Sequence, residues 1–177
     1  MKIDIKSVVK PALVLFIICL VTTALLALAN LLTTDQISEQ ANQDVAETRK
    51  KVLSAAVSFE EVNDTCVRGK NADNKTIGYV ITVAEKGYGG DIQVMVGISD
   101  GKVSGVRVLS HTETAGLGAK AAEAEFLDQY TGLAENAEVG KNIDEITGAT
   151  ISSKAVTRAV NTAMKEYQKL AGEKNNG

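Results

Sequence analysis

The residues best suited to bind a ligand or take part in a reaction lie at 144–153. There the sequence Asp-Glu-Ile-Thr-Gly-Ala-Thr-Ile-Ser-Ser directly precedes a predicted helix. Gly148 and its small neighbours let the backbone approach a ligand closely. The first amides of a helix have no partner within the helix and favour a bound phosphate. The same pattern is typical of a plain helix start, in which Thr150, Ser152 or Ser153 caps the helix. Spacing alone favours that simpler interpretation.

A second polar stretch, residues 111–118, has the sequence His-Thr-Glu-Thr-Ala-Gly-Leu-Gly. His111 and Glu113 follow a predicted strand, and two glycines come shortly after them. We therefore expect polar groups and closely approaching backbone to meet at one end of a sheet. Taken alone, His111 is more typical of a surface loop, and Glu113 of a helix cap or a solvated acid.

The rest of the chain offers few groups for catalysis or metal binding. His111 is the only histidine, Cys19 lies in an apolar segment and Cys66 lies in a polar one. No Cys-x-x-Cys sequence occurs, so no zinc or iron–sulfur centre is expected within the chain. Cys19 could carry a lipid, but the residues before it are bulky where lipoprotein signals have small ones.

Charge and aromatic content argue against a nucleic-acid partner. The 177 residues include 19 Lys and Arg against 22 Asp and Glu, and after Thr34 the counts are 16 and 21, a net charge of −5. A nucleic-acid footprint needs a basic patch or stripe. With no Trp, three Phe and four Tyr, base-stacking surfaces are also not expected. The part after Thr34 is long enough for one domain with a core of its own.

The first stretch resembles a known modification motif. Asp144 to Thr150 is similar to the flavinylation motif, in which an Asp precedes Ser/Thr-Gly-Ala-Thr and the last Thr carries FMN through a phosphoester bond. The resemblance implies FMN covalently attached to Thr150 and makes Asp144 part of the signal read by a flavin transferase. It also implies cofactor contacts from the neighbouring residues Thr147, Gly148, Ala149 and Ser152.

The second stretch resembles the same family. Residues 111–118 are similar to the His-x-Glu-Thr-Pro-Gly-Leu-Gly segment of FMN-binding domains, with Ala115 in place of the usual Pro. The resemblance implies that this segment contacts the flavin ring or its ribityl chain through Glu113, Thr114 and Leu117, and places His111, Gly116 and Gly118 beside them. The sequence Gly87-Tyr88-Gly89-Gly90 also recurs in the family, although a hairpin loop explains it nearly as well.

The elements around these stretches predict an α+β fold. Alternating apolar residues predict strands over residues 76–83, 92–98 and 103–109, with Asp100-Gly101 as a type I′ hairpin turn between the last two. This antiparallel meander has one apolar face and needs a helical cover. Residues 119–129 and 152–170 supply it, the latter with a stripe of residues at helical spacing: Val156, Val160, Ala163, Tyr167 and Leu170.

The N-terminus predicts a membrane anchor. Residues 11–32 contain no charged residue, and a helix of that length spans about 33 Å, close to the hydrocarbon thickness of a bilayer. Thr22 and Thr23 do not spoil the span, because their hydroxyls can bond to the preceding turn. Lysines precede the segment and acids follow it, so the positive-inside rule places residues 1–10 in the cytoplasm and the following domain outside.

A cleaved signal peptide is the alternative, because Ala27-Leu28-Ala29 resembles a cleavage site. The apolar run continues past that point, which favours the uncleaved anchor, and both interpretations export the domain. We therefore expect a cytoplasmic N-terminus at 1–10, a transmembrane helix at 11–32, a helical connector at 33–57 and an extracytoplasmic FMN-binding domain at 58–177.

The order of anchor, glycine loop and two motifs resembles the family of G subunits of Rnf electron transport complexes, the membrane-bound ferredoxin:NAD oxidoreductases that transport Na⁺ or H⁺. The C subunits of Na⁺-translocating NADH:quinone reductases are longer relatives. The resemblance implies an electron-transfer protein with the other Rnf subunits as partners, covalent FMN and no general acid or base of its own. The alternatives are a stand-alone anchored flavoprotein of an extracellular electron-transfer chain and a non-redox anchored binding or assembly domain.

Overall fold

The computed structural model describes residues 5–173, apart from the side chains of residues 5–8, 34–39, 41, 42 and 173. Lys2 and the rest of residues 1–4 lie outside the described residues. The chain divides into two compact units, residues 1–44 and residues 45–177.

The described residues of the first unit are helical. They belong to helix α1 (Ile5–Val52), which includes Val9–Thr33, 25 residues of mean hydropathy 2.8 that are long and apolar enough to cross a membrane. Thr22 donates its hydroxyl proton to the carbonyl of Ile18 at 2.9 Å, and Thr23 donates to that of Cys19 at 2.7 Å. The expected bonding of both hydroxyls to the preceding turn is therefore confirmed.

The second unit is built on a five-stranded antiparallel sheet in the order β1-β2-β3-β4-β5. Its strands are β1 (Ser58–Asn63), β2 (Cys66–Lys70), β3 (Thr76–Lys86), β4 (Asp91–Ser99) and β5 (Lys102–Ser110). The three predicted strands are β3 to β5, and β1 and β2 were not anticipated. Asp100 and Gly101 have φ of 50° and 75°, as the predicted type I′ turn requires.

One face of the sheet carries the main core and is covered by helices. Ile92, Val94, Val96 and Ile98 of β4 are at most 1% exposed on this face, as their alternation predicted. The long cover is α3 (Thr150–Glu173), whose predicted stripe packs on this core. The expected α+β architecture, an antiparallel sheet covered by helices, is confirmed.

The shorter cover is not the continuous helix predicted for residues 119–129. It consists of a 3₁₀ turn (Gly118–Ala122), helix α2 (Ala124–Leu127) and a second 3₁₀ turn (Asp128–Tyr130). Glu123 between the first two is extended, with ψ of 147°, and breaks the helix. The aromatic rings of Phe126 and Tyr130 then pack edge to face at 5.7 Å inside the core.

The opposite face of the sheet is also covered, which the predicted single apolar face did not anticipate. The end of α1 and the turn after it place Val52, Leu53 and Ala56 in a second buried cluster with Val67, Val80 and Met95. Irregular pairing opposite β2 and β4 also moves Ile77 and Leu109 into this cluster. Ile77 therefore does not share the face of Tyr79 and Ile81, contrary to the alternation of β3.

Candidate functional site

A single pocket brings the two polar stretches together. It has a volume of about 560 Å³ and lies among the β3–β4 loop, the segment after β5 and the start of α3. The residues that line it are Tyr88, Glu113, Thr114, Leu117, Gly118, Gly148, Ala149, Thr150, Ile151 and Ser152. Its size is within the range of small-molecule and cofactor sites.

Contacts along α3 hold the helix start in place at this pocket. The Asn161 side chain exchanges two hydrogen bonds of 2.8 Å with the backbone of Ala137. The Arg158 guanidinium donates to the Lys86 carbonyl at 2.8 Å and pairs with Glu85 at the end of β3. In the core, the Tyr130 hydroxyl lies 2.8 Å from that of Thr157. These bonds fix the helix against the sheet, so Thr150 has a defined position.

The turn before α3 is held by backbone geometry and by Ser153. Gly148 has φ of +81°, a conformation that side chains disfavour. The Ala149 amide donates to the Ile146 carbonyl at 2.9 Å, and the Ser153 hydroxyl accepts from the Ile146 amide at 3.2 Å. Ser153 also donates to the Ala149 carbonyl at 3.0 Å. The backbone therefore reverses directly before Thr150, the first residue of the helix.

The hydroxyls at the helix start bind carboxylates and carbonyls instead of capping the helix. Thr150 donates to Glu145 at 3.0 Å and Ser152 donates to Glu113 at 2.6 Å. Among the described residues, no side chain accepts a hydrogen bond from the amides of Thr150, Ile151 or Ser152. Because a helix supplies no internal partner for its first amides, these groups are available to an anion in the pocket.

Glu113 joins the three segments that form the pocket. One carboxylate oxygen accepts the amides of Tyr88 at 2.8 Å and Gly89 at 3.1 Å, and the other accepts the Ser152 hydroxyl. Burial opposes ionisation, but the hydrogen bonds from Ser152, Gly89 and Tyr88 outweigh it and hold the pKa of Glu113 below its usual value. The carboxylate is therefore ionised at neutral pH, and both of its oxygens accept hydrogen bonds from other parts of the protein.

Other atoms of the site approach the glycines around Glu113 too closely to leave room for a Cβ. A Cβ at Gly87 would overlap a Glu113 carboxylate oxygen, and one at Gly89 would overlap the Thr112 carbonyl. A Cβ at Gly118 would lie against both Glu113 and, at 2.7 Å, the Ser152 hydroxyl. The glycine-rich loop is therefore part of the site's construction and more than a hairpin connection.

Four of the predicted site residues do not line the pocket: Thr147, His111, Gly116 and Asp144. His111 is half-buried, and its Nδ1 accepts a hydrogen bond from the Glu113 amide at 3.3 Å. It therefore helps to hold the backbone of residues 111–113 in place. Gly116, with φ of +76°, forms the turn after it. Asp144 lies in a neighbouring depression with acidic residues, and its amide donates to Gln129 at 2.8 Å.

Three residues at the site were not among the predicted ones. Tyr88 and Ile151 line the pocket with Leu117, and their exposed fractions are 73%, 51% and 49%. The available signal in the sequence was Ile151 itself, an apolar residue directly after the motif and outside the apolar stripe of the predicted helix. Glu145 meets Thr150 only because of the turn at Gly148. The apolar rim suits a flat ring system with a polar tail at the helix start.

Comparison with known proteins identifies the family. A family model described as FMN-binding domain matches residues 87–165, and one described as RnfG N-terminal region matches residues 1–52. The G subunit of the Na⁺-translocating ferredoxin:NAD⁺ oxidoreductase complex of Acetobacterium woodii is 36% identical over 201 residues, covering 96% of each chain. The G subunit of the proton-translocating ferredoxin:NAD⁺ oxidoreductase complex of Clostridium ljungdahlii is 34% identical, covering 90% of this chain and 91% of that protein.

Among solved structures, the crystal structure of the C subunit of Na⁺-translocating NADH-quinone reductase from Parabacteroides distasonis has a TM-score of 0.48 and 21% identity, over 59% of this chain and 60% of that one. Sequence identity over nearly the whole length, together with the two family models, decides the assignment. The chain belongs to the family of G subunits of ion-translocating ferredoxin:NAD⁺ oxidoreductase complexes and contains an FMN-binding domain.

Proposed function

We propose that this protein is the electron-transfer subunit of an ion-translocating ferredoxin:NAD⁺ oxidoreductase complex and carries FMN on the hydroxyl oxygen of Thr150. The observation that supports the attachment point most directly is the position of Thr150, which is the first residue of α3 and lines the pocket. The family membership supports the cofactor and the complex.

The residues of the pocket fit a phosphorylated flavin. The amides at the start of α3 and the Thr150 hydroxyl suit a phosphate group. Leu117, Ile151 and Tyr88 offer apolar contact area for a ring, and about 560 Å³ is available. FMN bound here would supply the redox chemistry, and the protein would set its position and environment.

The chain's own residues would orient the cofactor and exclude water. Glu113 holds the β3–β4 loop and Ser152 in fixed positions, so the pocket is formed before any ligand enters. Leu117 and Ile151 would shield one edge of the ring from solvent. A covalent bond to Thr150 would prevent an exported flavoprotein from losing its cofactor to the medium.

The same proposal includes the membrane arrangement and the partners. Residues 11–32 would span the membrane, and residues 58–177 would form the extracytoplasmic domain. Residues 33–57 would connect the membrane span to this domain. Partners would be the other subunits of the complex and, during maturation, a flavin transferase for which Asp144 is part of the recognition signal. Exposed Asp144, in a depression beside Glu145, is accessible for that role.

Replacing Thr150 with Ala tests the attachment point. Because the hydroxyl oxygen would form the bond to phosphorus, we expect Thr150→Ala to be made and inserted normally but to show no flavin fluorescence after denaturing electrophoresis. Intact-mass measurement should show one FMN adduct on the natural chain and none on the variant. The host must contain the flavin transferase.

The matched control is Thr131→Ala, which removes an exposed threonine that does not line the pocket. We expect this variant to keep the adduct. Flavin that survives denaturation on Thr150→Ala, or a natural chain without an adduct, would refute the attachment. Co-purification of the other complex subunits in mild detergent tests the proposed partners.

A further inference from the structure

The acid beside Thr150 points to the chemistry by which the pocket acquires its cofactor. Resting on the proposed attachment of FMN to Thr150, we propose that Glu145 accepts the hydroxyl proton of Thr150 when that oxygen forms its bond to the flavin phosphate. Thr150 donates its hydroxyl hydrogen to Glu145, whereas the contact that the structure records for the motif acid Asp144 is between its amide and Gln129.

The geometry already resembles that of a hydroxyl nucleophile and its base. Thr150 Oγ1 donates its only hydrogen to Glu145 Oε1 at 3.0 Å, within the range required of a general base. The lone pairs of the oxygen are thereby left free for an incoming phosphorus atom. The turn between them is held by Gly148 and by the bonds of Ser153, so the pairing does not depend on two mobile side chains alone.

The exposure of Thr150 suits a proton donor in the pocket, and that of Glu145 suits a proton acceptor in contact with solvent. Thr150 is half-buried and lines the pocket, so its oxygen faces ligand space. Glu145 is exposed and also lines the neighbouring depression, so a proton it accepts can pass to water. One carboxylate therefore connects the reacting oxygen to solvent.

Other bases near the pocket are already engaged. The Glu113 carboxylate accepts two backbone amides and the Ser152 hydroxyl. His111 uses Nδ1 to accept the Glu113 amide, and it does not line the pocket. Among the described residues, Glu145 is the carboxylate with a hydrogen bond to the Thr150 hydroxyl.

The step balances with a flavin dinucleotide as donor, because a phosphoester forms readily only from an activated phosphate such as a phosphoanhydride. The Thr150 oxygen forms a bond to the phosphorus on the flavin side, and the phosphoanhydride bond breaks. The nucleoside monophosphate leaves with the bonding electron pair, and the hydroxyl proton passes to Glu145 and then to solvent. No electron is gained or lost.

The test measures the rate of flavin attachment to the full-length protein in detergent. Purified unmodified protein is incubated with a flavin transferase and flavin adenine dinucleotide, and the adduct is followed by intact mass and in-gel fluorescence. We expect Glu145→Gln to lower kcat for attachment about 100-fold, because loss of a general base costs on the order of 10²- to 10⁴-fold. The amide oxygen can still accept the hydroxyl hydrogen bond but cannot take its proton. KM for the protein substrate should stay unchanged.

Glu125→Gln is the matched control, since it removes a negative charge from the same depression without touching Thr150. It should be modified at the natural rate, and thermal unfolding of each variant before the reaction checks that the fold is retained. A Glu145→Gln rate within threefold of the natural one, an effect confined to KM, or an equal loss in Glu125→Gln would overturn the role of Glu145. Absence of an adduct on the natural chain, or its persistence in Thr150→Ala, would instead refute the attachment itself.

Discussion

At the scale of single residues, Glu113 has the most consequences for the site. Its carboxylate accepts hydrogen bonds from the β3–β4 loop and from the first turn of α3, and its own amide donates to His111. The role suggested by resemblance was contact with the flavin. Glu113 does line the pocket, but both of its oxygens are bonded within the protein, so its main effect is to hold the pocket's walls together.

The ionisation of Glu113 should be visible in the pH dependence of stability. Because hydrogen bonds lower the pKa of Glu113 in the folded protein, its charge stabilises the fold above the ordinary glutamate pKa. That contribution is lost as the pH falls through the lowered value. At neutral pH we expect Glu113→Gln to cost about 1.5–3 kcal/mol, the range for hydrogen bonds to a charged group.

Thermal unfolding of the full chain in detergent, followed by circular dichroism from pH 7 to below pH 4, measures this effect. The natural protein should lose more of its stability over that range than Glu113→Gln does. Glu135→Gln, at an exposed position, should follow the natural protein. Parallel curves for the natural protein and Glu113→Gln would contradict the role of the carboxylate.

At the scale of elements, the end of α1 is part of the folded domain. Val52 and Leu53 are 1% exposed, and the Val52 carbonyl accepts the Ser104 hydroxyl at 2.6 Å. The backbone of Val52 can lie this close to the sheet because β4 and β5 have glycines, Gly97 and Gly105, at the contact. A Cβ at Gly97 would overlap the Val52 carbonyl oxygen, and one at Gly105 would lie 3.1 Å from the Val52 Cα.

Gly97→Ala should therefore loosen the end of α1 from the sheet. The new methyl group would meet backbone, which cannot rotate away, and such overpacking costs about 1–3 kcal/mol. We expect a lower unfolding temperature and faster hydrogen exchange over residues 49–57. Gly172→Ala is the control, because a Cβ there meets nothing within 4 Å. Equal unfolding temperatures for Gly97→Ala and the control would show that the contact is unimportant.

At the scale of the whole molecule, the proposed arrangement makes a prediction about reactive thiols. Cys19 lies within the apolar segment of α1. Cys66 is 1% exposed, and burial raises the pKa of its thiol to about 11. Neither natural cysteine should therefore react with a maleimide that cannot cross membranes.

Engineered cysteines can then report the orientation. In right-side-out membrane vesicles, we expect Thr131→Cys to be labelled directly, because Thr131 is exposed on the domain proposed to lie outside. Lys6→Cys, before the apolar segment in the sequence, should be labelled only after the vesicles are permeabilised. The reverse pattern would overturn the proposed orientation. The intact mass of the purified chain distinguishes an uncleaved anchor from a cleaved signal peptide.

Patterns between near neighbours in the chain were enough to predict much of this protein. A continuous apolar run predicted a long apolar helix near the N-terminus, alternation predicted β3 to β5, and helical spacing predicted the face of α3 that packs on the core. The two motifs predicted two of the three segments that form the pocket, and eight of the predicted residues, including Thr150, line it. These signals are local, because period and motif depend on residues a few positions apart.

The tertiary structure decided which groups meet. Glu113 reaches Ser152 across 39 positions and Tyr88 across 25, and the end of α1 packs on a sheet face whose strands begin after it. Extended backbone at Glu123 broke the predicted helix, and irregular strand pairing moved Ile77 and Leu109 away from the faces that simple alternation assigns. Glu145, and not Asp144, meets Thr150 because the turn at Gly148 folds the chain back on itself. Such meetings depend on the path of the whole backbone, which local spacing does not encode.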